Sequence, residues 1–264
     1  MLTNDQVAQF QRDGFLLGGK VLSDETVDLL NEEVARVIRD REKGGRQPVL
    51  CHNFARAQGQ TVWQIVNIWE ASEPFHGIIA NPAIVEEVAQ LTGAKTLRMW
   101  HDQIQYKPAT EGGVNMWHQD SPYWPILTPK TAQVTAWIAL DDVDEENGCM
   151  SMVEGSYKWG PNIDFLHTLK EWDAMPAEFD AHALRVRACP VAKGCVHYHH
   201  ALTWHGSPAN RSSRPRRAIA LHYMTDETRY VEAGSHVMKQ FATVADGEVL
   251  QGDHFPVVWS KGQQ

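Results

Sequence analysis

The chain has 264 residues, with 24 Lys and Arg against 33 Asp and Glu, giving a formal net charge of −9. That length buries a substantial core without staples. The acidic balance argues against a general nucleic-acid binder, which would carry a basic face. No apolar run approaches the roughly 18 residues of a membrane span. The four cysteines form no CxxC pair, so neither a disulfide framework nor a Cys-rich zinc site is expected. The first residues lack the basic and apolar regions of a secretory leader, and a cytoplasmic place is expected. Histidine and tryptophan are prominent, at 13 and 10 residues.

In chain order, Thr3 with Gln6 fits a capping box that opens a first helix. Ser23 is a good N-cap for a second, whose apolar positions Val27, Leu30, Val34, Val37 and Ile38 recur at helical spacing. Residues 40–48 read as a charged loop. Asn81 caps a third helix with Pro82 at its first position and Gly93 as its stop. Residues 1–94 are therefore expected to be a helical N-terminal support that also forms part of a pocket rim.

From residue 95 the segments become short and rich in Val, Ile, Thr, Tyr and Trp, separated by Gly, Pro, Asn and Asp. The pattern predicts strands at 96–106, 132–140, 149–153, 184–188, 195–200 and 217–224. Helices followed by many short strands imply a mainly β fold, an antiparallel sandwich or barrel braced by helices. Residues 162–182 read as a helix or a long lid. A single domain is expected, with a β core over 95–225 and a C-terminal segment over 226–264.

Two constellations carry chemistry. In Met116-Trp117-His118-Gln119-Asp120, the His and Asp stand at i and i+2, which on a strand places both side chains on one face. A neutral imidazole and a carboxylate facing one point suit a divalent metal. One more His completes a facial arrangement that leaves positions open and suits non-haem Fe(II). The second constellation runs from Trp204-His205-Gly206-Ser207 through a Gly/Pro/Asn/Ser-rich turn to Arg216-Arg217 on a new strand. Arg suits bidentate recognition of a carboxylate. Strand alternation allows at most one of Arg216 and Arg217 to face the cavity.

The combined pattern of His118, Asp120, His205 and Arg216 resembles the phytanoyl-CoA dioxygenase family of Fe(II)- and 2-oxoglutarate-dependent oxygenases. Gln105-Tyr106-Lys107-Pro108, Trp137 with Asp141-Asp142, Asn147-Gly148-Cys149, Glu154 to Gly160, His200 to Ser207, and Phe10 with Asp13-Gly14-Phe15 carry the same resemblance. It spans nearly the whole chain and is weakest over 160–182.

The resemblance implies a double-stranded β-helix, a cupin-like jelly roll whose mouth holds the metal. It implies that His118, Asp120 and His205 ligate Fe(II), and that Arg216 and Ser207 hold the distal carboxylate of 2-oxoglutarate. Gln103, Trp137 and Thr135 are further cosubstrate contacts by the same resemblance. It implies an O2-using hydroxylase that releases succinate and CO2, and the intact Asp120 favours hydroxylation over halogenation. The expected substrate is a small or medium soluble metabolite, with no nucleic-acid or membrane partner.

Tyr123 and Trp124, just past the metal carboxylate, are candidate substrate contacts. His200, near the iron pocket, and Asn53 and Trp63, on a stretch that reaches over the mouth, join them. His197 and His199 share a strand face and make a rival metal pair. Two other functions compete: a cupin-like metal-dependent hydrolase or isomerase, and a non-catalytic binding or sensor protein on the same scaffold. The Arg after the distal His speaks against the first, since such enzymes need no clamp for a cosubstrate carboxylate.

Overall fold

A computed structural model describes residues 1–56 and 59–262. Two antiparallel sheets face each other. The larger runs in the order Phe15–Lys20, Cys195–His200, Gln133–Ala139, Arg216–Thr225, Thr96–Lys107, Trp63–Val66, Leu50–Asn53, with Val257–Ser260 also on Thr96–Lys107. The smaller runs Val186–Cys189, Met150–Val153, His205–Ser207, Asn115–His118. This is the jelly-roll arrangement, a double-stranded β-helix.

Alternation along the large sheet explains what each face does. Ile104, Val134, Ala136, Ile138, Val196, Tyr198, Ile219, Leu221 and Tyr223 point outward. They form one apolar cluster with Val27, Leu30, Val34 and Val37 of the helix Asp24–Asp40, and with Ile84, Val85 and Val88 of the helix Pro82–Thr92. The intervening residues point between the sheets and include Gln103, Gln105, Thr135, Trp137, His199, Arg216, Ala220 and His222. The helices cover the apolar face, so the polar face is left to build a site.

The caps behave as the sequence predicts. Thr3 Oγ1 accepts from Gln6 N at 3.3 Å and Gln6 Oε1 accepts from Thr3 N at 2.9 Å. Ser23 Oγ accepts from Thr26 N, and Asn81 Oδ1 from Ala83 N. The first helix, Asn4–Asp13, stops at Gly14, whose φ of 83° lies in the left-handed region. A Cβ there would stand 2.6 Å from the Tyr157 ring and 2.7 Å from Thr203 Oγ1, so only glycine fits.

Two expectations need correction. Residues 1–94 are not only helical: Phe15–Lys20, Leu50–Asn53 and Trp63–Val66 are strands of the large sheet. Their apolar runs are too short for helical periodicity to be told from strand alternation. The 162–182 stretch holds a four-residue helix, Ile163–Leu166, and a small hairpin of Glu178–Phe179 with His182–Ala183. No helix among the described residues is long and apolar enough to cross a membrane.

Candidate metal and cosubstrate centre

His118 ends the strand Asn115–His118, and its cross-strand partner is His205 at the start of His205–Ser207. Asp120 lies beyond the strand, in right-handed helical backbone that opens the turn Ser121–Tyr123. The i, i+2 spacing therefore converges through a turn as well as through the pleat. Gln119 between them points away and anchors the flanking loops. Its Nε2 donates to Leu202 O at 2.7 Å and Gly160 O at 2.9 Å, and its Oε1 accepts from Asn162 N at 2.7 Å.

One ligand atom from each of His118, Asp120 and His205 lies within 4.8 Å of the others. His205 Nε2 is 3.5 Å from Asp120 Oδ1 and His118 Nε2 is 3.9 Å from it. The hydrogen bonds fix which atoms are free. His118 Nδ1 donates to Met116 O at 2.7 Å and His205 Nδ1 to Thr203 O at 2.9 Å, which turns both Nε2 lone pairs inward. Asp120 Oδ2 accepts from Thr135 Oγ1 at 3.0 Å and from His199 Nε2 at 3.1 Å, leaving Oδ1 to the centre. Thr135 spends its only proton on Asp120. Its oxygen therefore accepts from His222 Nδ1 at 2.8 Å.

Burial pushes His118 and His205 down to about 4, so both imidazoles are neutral, as metal ligands must be. Burial opposes ionisation of Asp120, but the surrounding imidazoles and the His199 hydrogen bond outweigh it and hold the carboxyl well below its ordinary range. Two neutral nitrogens and one carboxylate oxygen facing one point are the donor set of a facial Fe(II) triad, and the residues fit that ion.

Beside the triad lies an anion hole. Arg216 is 1 % exposed; its Nε donates to Gly148 O at 3.1 Å and one terminal nitrogen to Ser207 Oγ at 2.9 Å. Its other terminal nitrogen is buried with no partner. The guanidinium carbon stands 5.3 Å from the Trp137 ring centre. Lys107, also fully buried, donates to Ser207 Oγ at 2.7 Å, Pro208 O at 2.6 Å and Ser207 O at 3.2 Å. Burial and the charge of Arg216 push Lys107 down, while three oxygen acceptors match the three N–H groups of its ammonium. Ser207 Oγ thus accepts twice, and its own proton is free for the cavity. Among the described residues no carboxylate forms an ion pair with either cation. Arg217, on the opposite face, pairs with Asp141 at 2.6 Å.

Gln103, Thr135, Trp137, Ser207 and Arg216 line the inner cavity with the triad. Tyr123 and Trp124 line a wider cavity that opens from it. His200, Asn53 and Trp63 are not brought to either. His200 Nδ1 accepts from Leu202 N and its ring packs on Tyr157, in a separate cleft. Strand alternation points it away from its neighbour His199. Asn53 Oδ1 accepts from Ala55 N and Val62 N, and Trp63 lies under Arg41. His197 sits on the His199 face, stacked on Phe15, with neither nitrogen partnered, and it joins no metal cluster among the described residues.

Sequence reasoning missed His222 and Lys107 as members of the site and offered His199 only as a metal ligand paired with His197, where the structure makes it a donor to Asp120. The signal was present: Arg216, Ala218, Ala220 and His222 alternate on one strand face, and Gln103, Gln105 and Lys107 on the neighbouring one.

Residues 10–218 match the family model described as phytanoyl-CoA dioxygenase (PhyH). Rat peroxisomal phytanoyl-CoA dioxygenase is 26% identical over 245 residues, covering 88% of this chain and 71% of the rat protein. The ectoine dioxygenase of Bordetella parapertussis is 26% identical over 240 residues, covering 86% and 76%. Among solved structures, the non-heme alpha-ketoglutarate-dependent carbocyclase SnoK from nogalamycin biosynthesis is 26% identical. It superposes with a TM-score of 0.77 over 98% of this chain and 97% of its own.

Proposed function

The chain belongs to the phytanoyl-CoA dioxygenase family, and we propose on that premise that His118, Asp120 and His205 hold Fe(II) while Arg216 and Ser207 clamp the distal carboxylate of 2-oxoglutarate. The enzyme is a non-haem Fe(II)- and 2-oxoglutarate-dependent dioxygenase. One observation carries the residue assignment. Every polar side-chain atom of the triad is hydrogen-bonded except the two Nε2 and one Oδ1 that face each other.

Fe(II) bound there supplies the oxidative chemistry, with O2 divided between succinate and the substrate and CO2 released. The residues do the rest. Thr135 and His199 orient Asp120 so that one oxygen is offered and the other is occupied. Lys107 and Arg216 orient the Ser207 hydroxyl and supply charge for the dianionic cosubstrate. Gln103, Thr135 and Trp137 wall the cosubstrate pocket, and Trp137 lies against the guanidinium. Tyr123 and Trp124 border the substrate. A cupin-like hydrolase or isomerase that works without a cosubstrate carboxylate has no use for two buried cations that lack a counter-ion. The reading further takes the substrate as a small molecule, hydroxylated in the cytoplasm, with no nucleic-acid partner.

Succinate release under air with Fe(II), 2-oxoglutarate and ascorbate tests the activity. Anaerobic Fe(II) titration of wild type and Asp120→Ala tests the ligands. Equal Fe(II) affinity in the two proteins would remove Asp120 from the centre.

A further inference from the structure

The wider cavity has a volume of about 860 Å³, within the range of pockets that enclose drug-sized ligands. Its walls come from three excursions outside the β core. Leu50, Phe54, Gln64 and Val66 belong to the N-terminal strands and the loop between them. Leu166, His167, Leu169 and Lys170 belong to the 162–182 stretch, and His236 and Val237 to the C-terminal segment. Tyr123 Oη and His167 Nε2, 2.8 Å apart, tie that stretch to the turn after Asp120.

Charge on this surface is scarce. Apart from Asp120 of the metal triad, Lys170 is the one formally charged residue on the wall among the described residues, and its Nζ donates to His167 O at 2.8 Å. His236 Nδ1 accepts from Met238 N, and burial pushes that imidazole down to about 4, so it carries no charge at neutral pH. The polar lining is instead a row of carboxamides. Gln64 Nε2 donates to Gln103 Oε1 at 3.0 Å, and Asn115 Nδ2 to Gln105 Oε1 at 2.5 Å. Among the described residues the NH2 groups of Gln103 and Gln105 have no protein acceptor, and Asn115 Oδ1 is buried with no partner. The apolar lining is Leu50 and Val66, beside the row on the same sheet, together with Phe54, Leu166, Leu169 and Val237.

We propose that the substrate is an uncharged, largely apolar molecule of medium size, with hydroxyl, carbonyl or amide groups along one edge. That edge lies on the Gln64–Gln103–Gln105–Asn115 row and the apolar body against the apolar lining. Beyond the metal centre, a charge moved from water into this cavity would find only the Lys170 ammonium among the described residues, so a cation, or an anion placed away from Lys170, would lose its hydration uncompensated. The phosphates of an acyl-CoA ester and the paired charges of a zwitterion are excluded on the same ground. The inference rests on the oxygenase reading of the adjoining centre.

A fluorescent series tests it: pyrene, 1-pyrenemethanol, 1-pyrenecarboxylate and 1-pyrenemethylammonium. Each is titrated under argon into enzyme loaded with Fe(II) and 2-oxoglutarate, and tryptophan-to-pyrene energy transfer is read. The alcohol is expected to bind at least about ten-fold tighter than both ions and tighter than pyrene, with coenzyme A failing to displace it. Val237→Glu, at the exposed mouth, is expected to raise ammonium affinity about ten-fold. Preference for either ion, equal binding of pyrene and the alcohol, absence of binding by all four, or an unresponsive Val237→Glu overturns the proposal. The visible charge-transfer band of Fe(II) with 2-oxoglutarate, recorded in the same samples, reports the metal centre separately. Its absence would sink the oxygenase reading whatever the pyrenes do.

Discussion

Replacing Arg216 with Met should move two measurements in opposite directions. The guanidinium is 1 % exposed and has no carboxylate partner, and burial pushes it down to about 10. A displacement of more than two pH units, at about 1.4 kcal/mol each, means that holding the charge in the cosubstrate-free protein costs about 3 kcal/mol. The distal carboxylate of 2-oxoglutarate returns that energy when it binds, and losing one partner of such a buried pair typically costs 3–5 kcal/mol. Arg216→Met should therefore weaken 2-oxoglutarate binding by about 100-fold or more. The cosubstrate-free variant should unfold at the same temperature as wild type or higher, because Met fills similar space with no charge to desolvate. Equilibrium titration with Zn(II) in the metal site, and thermal melts with and without 2-oxoglutarate, read the two effects. 2-Oxobutyrate, which lacks the distal carboxylate, should bind both proteins equally. An unchanged 2-oxoglutarate affinity, or an equal loss of affinity for 2-oxobutyrate, would refute the clamp.

Lys107→Met removes the second cation, and 2-oxoglutarate affinity should fall by about ten-fold with that of 2-oxobutyrate unchanged. Thr135→Val deletes a donor to Asp120 Oδ2 and should lower Fe(II) affinity about 10- to 100-fold, measured by competition with a chromophoric chelator under argon. Burial pushes His200 down to about 4 and holds His101 and His197 well below their ordinary value. Their folded pKa values are depressed, so below about pH 6.5 the unfolded chain takes up protons that the native chain refuses. Stability should fall as pH drops from 6.5 towards 4, by up to about 1.4 kcal/mol per pH unit for each such His. Urea midpoints across that window check the slope, and a flat profile would contradict neutral burial.

Strands of the β core are legible in the sequence as short runs rich in Val, Ile, Thr and aromatic residues, and one of them alternates cleanly. Residues 217–223 are the clearest case, and the observed strand is Arg216–Thr225. The same alternation separates Arg216 from Arg217, one in the anion hole and the other on Asp141. The parts that stayed hidden depend on contacts across the sheet. His199 and not His200 reaches Asp120, which requires knowing which face of Cys195–His200 looks inward. Lys107 enters the sequence reading only as part of the Gln105–Pro108 stretch, and its role emerges once Ser207 and the backbone carbonyls of Ser207 and Pro208 are placed around it. Asn53 and Trp63 lie close in sequence to cavity residues. However, Asn53 is turned into its own hairpin loop, and Trp63 towards Arg41.

The strand Arg216–Thr225 sits between Gln133–Ala139 and Thr96–Lys107, and it brings both the clamp residue and His222 to the centre. That placement orders events during synthesis. A chain growing at roughly 5–20 residues per second takes roughly 5 to 20 s to pass from His118 to His222. Over that interval the sheet lacks its middle strand, Asp120 lacks part of its hydrogen-bond network, and no anion hole exists. A chain ended before His205 carries two of the three ligands, and one ended between His205 and Arg216 carries all three with no guanidinium beside them. In chain order Arg216 follows all three ligands of the triad, so the residue that clamps the cosubstrate is made after the residues that hold the metal.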